Sequence, residues 1–187
     1  MSLSDPQLGQ LSDYLELLGR IAVPRGMIAA SDAGRLWERH VLDSLRGAPE
    51  VPAGASVADL GSGAGLPGVP LAIALPTSSF ALIEPRRARA SFLEAVVDEV
   101  GLSNVAVVLG KAGDVRDRFG ACLARAFSSP QETWAVASRL LSPGGFLVYW
   151  AGERFDRRAV ADLGVQVRVS TRSDLARTGP LVIMGPQ

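Results

Sequence analysis

Apolar residues recur at helical spacing near the N-terminus and in short strand-like runs thereafter. Leu8, Leu11, Leu15 and Leu18 fall three or four residues apart, which predicts a helix over residues 8–20, broken by Pro24 and Gly26. A second helix is predicted over 33–46, with Leu36, Trp37, Val41, Leu42 and Leu45 on one broad face and Asp32 as its N-cap. Residues 47–56, which hold Pro49, Pro52 and Gly54, read as a connector. Beyond it, strands are predicted at Ser56–Leu60, 79–83, Val105–Leu109, 121–126 and 146–150. The helices between them are a short one ending at Leu75, one over 86–100 stopped by Gly101, and one over 130–141. Residues 165–170 and 181–184 are two further strand candidates. This alternation predicts an α/β fold with a doubly wound, mostly parallel, seven-stranded sheet over 51–187. Residues 1–50 read as a short helical extension before it.

With 48% apolar and 20% charged residues in 187, the chain can bury a substantial core. Nineteen basic residues balance nineteen acidic ones, which excludes a globally basic nucleic-acid binder but not a local basic face. All the basic residues but Lys111 are Arg, whose planar fork suits carboxylate and phosphate; a composition also rich in Ala and Gly explains the bias as readily. No apolar run approaches the ~18 residues that cross a bilayer, and no basic cluster precedes an apolar stretch at the N-terminus. A cytoplasmic monomer without membrane or DNA partners is expected. One Cys and one His supply neither a disulfide framework nor a structural zinc site, so no metal is expected.

The densest chemical signal runs Val57-Ala58-Asp59-Leu60-Gly61-Ser62-Gly63-Ala64-Gly65-Leu66-Pro67-Gly68. It sits where the first strand of the sheet hands over to a helix, and its glycines allow backbone to approach a ligand closely. Gly63 to Gly68 formally fit the GxGxxG dinucleotide pattern, whereas the missing Lys-Ser or Lys-Thr excludes a Walker-type phosphate loop. Asp59 stands two residues before the first glycine, and Glu84 closes the second strand, where an acid can accept from both hydroxyls of a ribose. An acid at Asp59 disfavours a pyrophosphate and favours an ammonium or sulfonium. S-adenosylmethionine carries both cations, a ribose and no phosphate, so the charge argument prefers a methyl donor held by Asp59, Gly61, Gly63, Gly65, Leu66 and Glu84.

The run Leu36-Trp37-Glu38-Arg39-His40-Val41-Leu42-Asp43-Ser44-Leu45 resembles the W-x-R-H-[IVL]-L-D-S signature of the small-subunit ribosomal RNA methyltransferase G family, also called glucose-inhibited division protein B. The D-x-G-S-G-A-G-L-P-G turn, the segment Gly101-Leu102-Ser103-Asn104-Val105 and Arg125-Ala126-Phe127 follow that family in order. The resemblance implies a class I methyltransferase fold and transfer of a methyl group from S-adenosylmethionine to N7 of one guanine in 16S ribosomal RNA. It places Gly61 and Leu66 at the donor, Glu84 on the ribose, Ala112 and Gly113 beside the adenine, and Arg125 between donor and substrate. Two departures stand out: Gly113 where the family usually has an acid, and Ala151 where it often has Lys.

The implied chemistry asks little of the side chains. Guanine N7 has a free lone pair at neutral pH, so no general base is needed, and catalysis reduces to alignment. Cys122 lies inside an apolar strand pattern and reads as a core thiol rather than a nucleophile. His40 reads equally as a packing residue of its helix or, with Arg125, as part of the polar wall that positions the guanine. Arg35, Arg39, Arg86, Arg87 and Arg154 are the candidates for RNA contact, along with Arg89, Arg157 and Arg158; at least half of them are expected to be solvated helix face. Three alternatives remain open: a methyltransferase acting on another RNA or a small molecule, a nicotinamide-dependent oxidoreductase using the GxGxxG register, and a ribosome-assembly factor without turnover.

Overall fold

A computed structural model describes residues 2–153, 155–170 and 179–186. The first helix, α1 (Asp5–Leu17), starts earlier than its leucine spacing predicts. Ser4 occupies the N-cap and its backbone N–H donates to Gln7 Oε1 at 2.9 Å, while Pro6 and Asp5 suit a first turn. A wider turn, Leu18–Ala22, ends it. The helix predicted over 33–46 is wound three ways: a 3-10 segment Ala30–Arg35, a π-type segment Trp37–Leu42 and one turn of α-helix, α2 (Asp43–Leu45). Asp32 does not cap it. Its carboxylate is buried and receives Arg39 and His40 from the following turns, and the π winding coincides with the stretch that carries His40.

Beyond short 3-10 turns, the rest of the described chain is built on β1 (Ser56–Leu60), α3 (Gly68–Ala74), β2 (Ser79–Glu84), α4 (Arg87–Val100), β3 (Val105–Leu109), β4 (Phe119–Arg125), α5 (Pro130–Leu140), β5 (Leu141–Trp150), β6 (Val165–Val169) and β7 (Leu181–Pro186). Among the described residues the strands form one sheet in the order β3-β2-β1-β4-β5-β7-β6. The first five strands in sequence pair in parallel, and β7 runs antiparallel to both β5 and β6. In the middle of the sheet Ala58 lies between Ala81 and Cys122. β5 is longer than its apolar run predicts, because Leu141 already pairs with Phe119 across a register shift that accommodates Pro143-Gly144-Gly145.

Each sheet face packs a core of its own. On one, Leu11, Tyr14 and Leu18 of the N-terminal segment are buried with Val69, Leu82, Phe92 and Leu93, so α1 forms part of the layer that contains α3 and α4. On the other, α5 covers Ala58, Leu60, Cys122 and Ala124. No helix among the described residues is long and apolar enough to cross a membrane. Strand order reverses beside β1: the chain moves outward to β2 and β3, then returns to β4 on the opposite side. The crevice at the carboxyl ends of β1 and β4 is therefore where an open α/β sheet presents a ligand site.

Candidate functional site

Gly61 and Gly65 shape the turn that leaves β1. Gly61 has φ 67°, and a Cβ on it would come within 2.8 Å of the Phe127 ring. Gly65 has φ 94°, and a Cβ there would meet Val69 Cγ2 at 2.7 Å and the Tyr14 hydroxyl at 3.1 Å. The turn is held from below. Tyr14, wholly buried in α1, donates its hydroxyl to the Ala64 carbonyl at 2.8 Å. Burial raises the Tyr14 pKa well above the ordinary phenol value, so the hydroxyl stays a donor.

The two acids expected to face the ligand both accept hydrogen bonds from backbone. Asp59 is 1% exposed beneath the turn; its Oδ2 accepts from the Gly68 N–H at 3.1 Å, and its Oδ1 has no partner among the described residues. Burial pushes its pKa up to about 7, against the opposing pull of Ser62, the Gly68 N–H and Arg125. Glu84, also buried, accepts from Gly63 N at 3.0 Å and from Arg86 N at 2.9 Å, which staples the turn to the β2–α4 junction. The anionic notch expected from residue types is thus not the wall that a ligand meets.

A cavity of about 250 Å³ opens above the turn. Gly61, Ser62, Gly63, Ala64 and Leu66 form its floor, Arg89 of α4 one side, and Arg125 with Ala126 the end of β4. His40 and the segment 27–29 close it from the N-terminal region. Of the expected donor residues, Gly61, Gly63, Leu66 and Arg125 line this cavity; Asp59, Gly65, Glu84, Ala112 and Gly113 do not. Ala112 is buried in the core on the α5 side and Gly113 is exposed. Larger hollows of about 490 and 380 Å³ open at the other end of the sheet around Gly144, Gly145 and Pro186. Arg118 beside them is committed to the carbonyls of Arg139 and Leu141, which gives that end a structural character.

Arg125 organises the far wall. Its Nη1 reaches the His40 carbonyl at 3.3 Å, Ser44 Oγ at 3.5 Å and Asp43 Oδ2 at 3.5 Å, and its Nη2 donates to His40 Nδ1. A guanidinium only donates, so Nδ1 of His40 accepts and Nε2 carries the proton, donated to Asp32 Oδ2 at 3.1 Å. Burial and then Arg125 lower the His40 pKa, with Asp32 pulling the other way, so the ring is neutral at pH 7 and both nitrogens are occupied. Asp43 also binds Arg46 at 2.6 Å, and its carbonyl accepts from the Trp150 indole at 2.8 Å. Burial raises the Cys122 thiol to about 12, so it is neither ionised nor at the cavity.

A family model described as rRNA small subunit methyltransferase G matches residues 7–167, which takes in the Arg39–His40 segment, the glycine turn and Arg125. The chain belongs to the rRNA small subunit methyltransferase G family. A protein of that name from Frankia alni is 41% identical over 158 residues, covering 81% of this chain and 60% of the relative. The namesake from Mycolicibacterium gilvum is 40% identical over 171 residues, covering 86% and 75%. The chain thus spans well under two thirds of the length of the Frankia relatives, 60% in one and 57% in another. A solved SAM-dependent methyltransferase from Aquifex aeolicus superposes with a TM-score of 0.61 at 16% identity, over 80% of this chain and 90% of that one. At that identity the likeness speaks for the fold, which is that of the class I methyltransferases.

Among the residues expected to meet RNA, Arg39 and Arg35 pair with Asp32 at 3.1 and 3.6 Å, each keeping about half of its side chain exposed. Arg86 and Arg87 are exposed at the start of α4. Arg154 lies outside the described residues. Sequence reasoning missed Tyr14 and residues 27–29 as parts of the site. The one available sign for Tyr14 was a lone hydroxyl in an otherwise aliphatic helical stripe.

Proposed function

We propose that this chain binds S-adenosylmethionine above the Gly61–Leu66 turn and methylates N7 of a guanine in 16S ribosomal RNA. Family membership supports methyl transfer to small-subunit RNA. The observation that carries the ring-nitrogen target concerns the acid–base groups around the cavity: His40, in its wall, is neutral with both nitrogens bonded, while Cys122, Asp59 and Glu84 are buried outside its lining. None of these groups is placed to take a proton from a substrate in the cavity, and N7 of guanine has none to give up.

The residues present fit the donor. Glycines leave the floor open to backbone contact, Asp59 keeps a buried unpartnered oxygen beneath it, and the cavity is concave and partly polar. Gly61, Gly63 and Leu66 would hold its amino-acid part, Gly65 and Asp59 would support the floor, and beyond the cavity Glu84 would take the ribose with the lone pairs its backbone bonds leave, while Ala112 with Gly113 would flank the adenine. When bound, the donor supplies a methyl group already activated by a sulfonium. The chain's own work is then positional: the turn is fixed by Tyr14, Glu84 and Asp59, and the Arg125–His40–Asp32 chain holds the wall against which a base can lie. Arg35, Arg39, Arg86, Arg87 and Arg154 would meet RNA phosphates, whose contribution weakens with salt. The chain is proposed to act as a cytoplasmic monomer on small-subunit RNA.

Two measurements test the reading. Calorimetric titration should give saturable binding of S-adenosylmethionine and none of NADH; the reverse result selects the oxidoreductase alternative. Mass-spectrometric mapping of 16S RNA from a strain lacking the gene should reveal one guanine without its N7 methyl group, restored by this chain. An unchanged map rejects the RNA assignment.

A further inference from the structure

Arg89 brings to the cavity a charge that the site as described does not use. It stands in the first turn of α4, half-buried, with Nη1 3.8 Å from the point that a Cβ on Gly63 would occupy. Every other charged group near the turn is committed. Arg125 is bound to Asp43, Ser44 and His40, Glu84 to two backbone N–H groups, and Asp59 lies under the floor on Gly68. Among the described residues Arg89 has no ion pair. A half-buried guanidinium aimed over a bare glycine turn presents several N–H donors in need of an acceptor, in the fork geometry that matches a carboxylate.

We propose that Arg89 binds the α-carboxylate at the amino-acid end of the donor, so that α4 reads the tail of the ligand. The inference rests on the donor reading given above. The position of the guanidinium favours a carboxylate over an RNA phosphate: it lies across Gly63 in the lining of the cavity, where the amino-acid part of the donor is placed, and not on the exposed surface with Arg86 and Arg87. The inference also gives the Arg89 side of the cavity a purpose, since the negative end of a zwitterionic tail needs a donor.

The test compares two ligands on three proteins by calorimetry. The ligands are S-adenosylhomocysteine and its decarboxylated counterpart, which keeps the nucleoside, thioether and amine but has no carboxylate. The proteins are the wild type, Arg89→Met and Arg89→Lys. The wild type should prefer the carboxylate-bearing ligand by about tenfold or more, as for a charge-assisted hydrogen bond. Arg89→Met should erase that preference while binding the decarboxylated ligand as the wild type does, which also certifies its fold; Arg89→Lys should restore part of it. A preference that survives in Arg89→Met overturns the proposal, and so does an equal loss for both ligands. Weaker binding of a 16S RNA fragment with an unchanged ligand preference would move Arg89 to an RNA phosphate and overturn it as well. A wild type that binds neither ligand would instead reject the donor reading on which the inference stands.

Discussion

Asp59 offers the most quantitative test of the site's electrostatics. Its folded pKa is about 7 because burial penalises the carboxylate, whereas an unfolded chain returns it to its ordinary value of 3.8. The folded state therefore binds the proton more tightly, and stability falls as pH rises between those two values. The slope approaches 1.36 kcal/mol per pH unit, so the loss between pH 4.5 and 7.5 is about 3 kcal/mol. Asp59→Asn keeps an oxygen for the Gly68 N–H and places a neutral donor where the acid form carries its proton, so the variant mimics protonated Asp59 at every pH. Guanidinium denaturation of both proteins at pH 4.5 and 7.5 isolates this one group, because all other titrations cancel in the difference. The variant should gain about 3 kcal/mol relative to wild type on going from pH 4.5 to 7.5. A difference that does not change with pH refutes the reasoning and leaves Asp59 an ordinary ionised acid.

Further outcomes follow from the same geometry. Tyr14→Phe removes the hydroxyl beneath Ala64 and should cost about 1 kcal/mol of stability together with a measurable drop in S-adenosylmethionine affinity; unchanged affinity would detach α1 from the site. Glu84→Ala should weaken donor binding by about 1–3 kcal/mol in calorimetry, and unaltered affinity would remove Glu84 from the ribose. Arg125→Ala leaves Asp43 and His40 short of a buried partner and should cost about 3 kcal/mol in denaturant unfolding as well as lowering turnover; a loss of turnover at unchanged stability would make Arg125 a purely functional residue. Cys122, with its thiol at about 12, should resist alkylation at pH 8 until the protein is unfolded, as read by mass spectrometry.

The strands and the ligand turn were legible because their signals are local. Alternating short apolar runs and helical periods mark the sheet, and the spacing of Gly61, Gly63 and Gly65 is visible without any partner. Irregular winding was less legible: residues 33–46 have ordinary amphipathic spacing, yet Asp32 is drawn in by Arg39 and His40 rather than capping the helix. The charge of the crevice was misread for a related reason. Residue type gives the sign of Asp59 and Glu84, but only the folded chain shows that Gly68, Gly63 and Arg86 N–H groups consume them while Arg89 and Arg125 face the cavity. The charge argument against a phosphate-bearing ligand therefore falls away, and the donor assignment rests on the family and the glycine floor.

The same partners change the standing of the N-terminal residues. Sequence sets 1–50 apart as an extension, yet Tyr14 supports the floor of the cavity and His40 with residues 27–29 closes its side. Asp43 and Arg46 extend that wall to Arg125 and to the Gly179 carbonyl, and Trp150 binds the backbone between them. Removing any one of these contacts exposes polar groups that were buried, so the segment and the sheet hold each other in place. The glycine turn alone would be a flexible floor with no roof. The W-x-R-H-x-L-D-S stretch and the glycine turn act together because the first supplies the wall that makes the second a pocket.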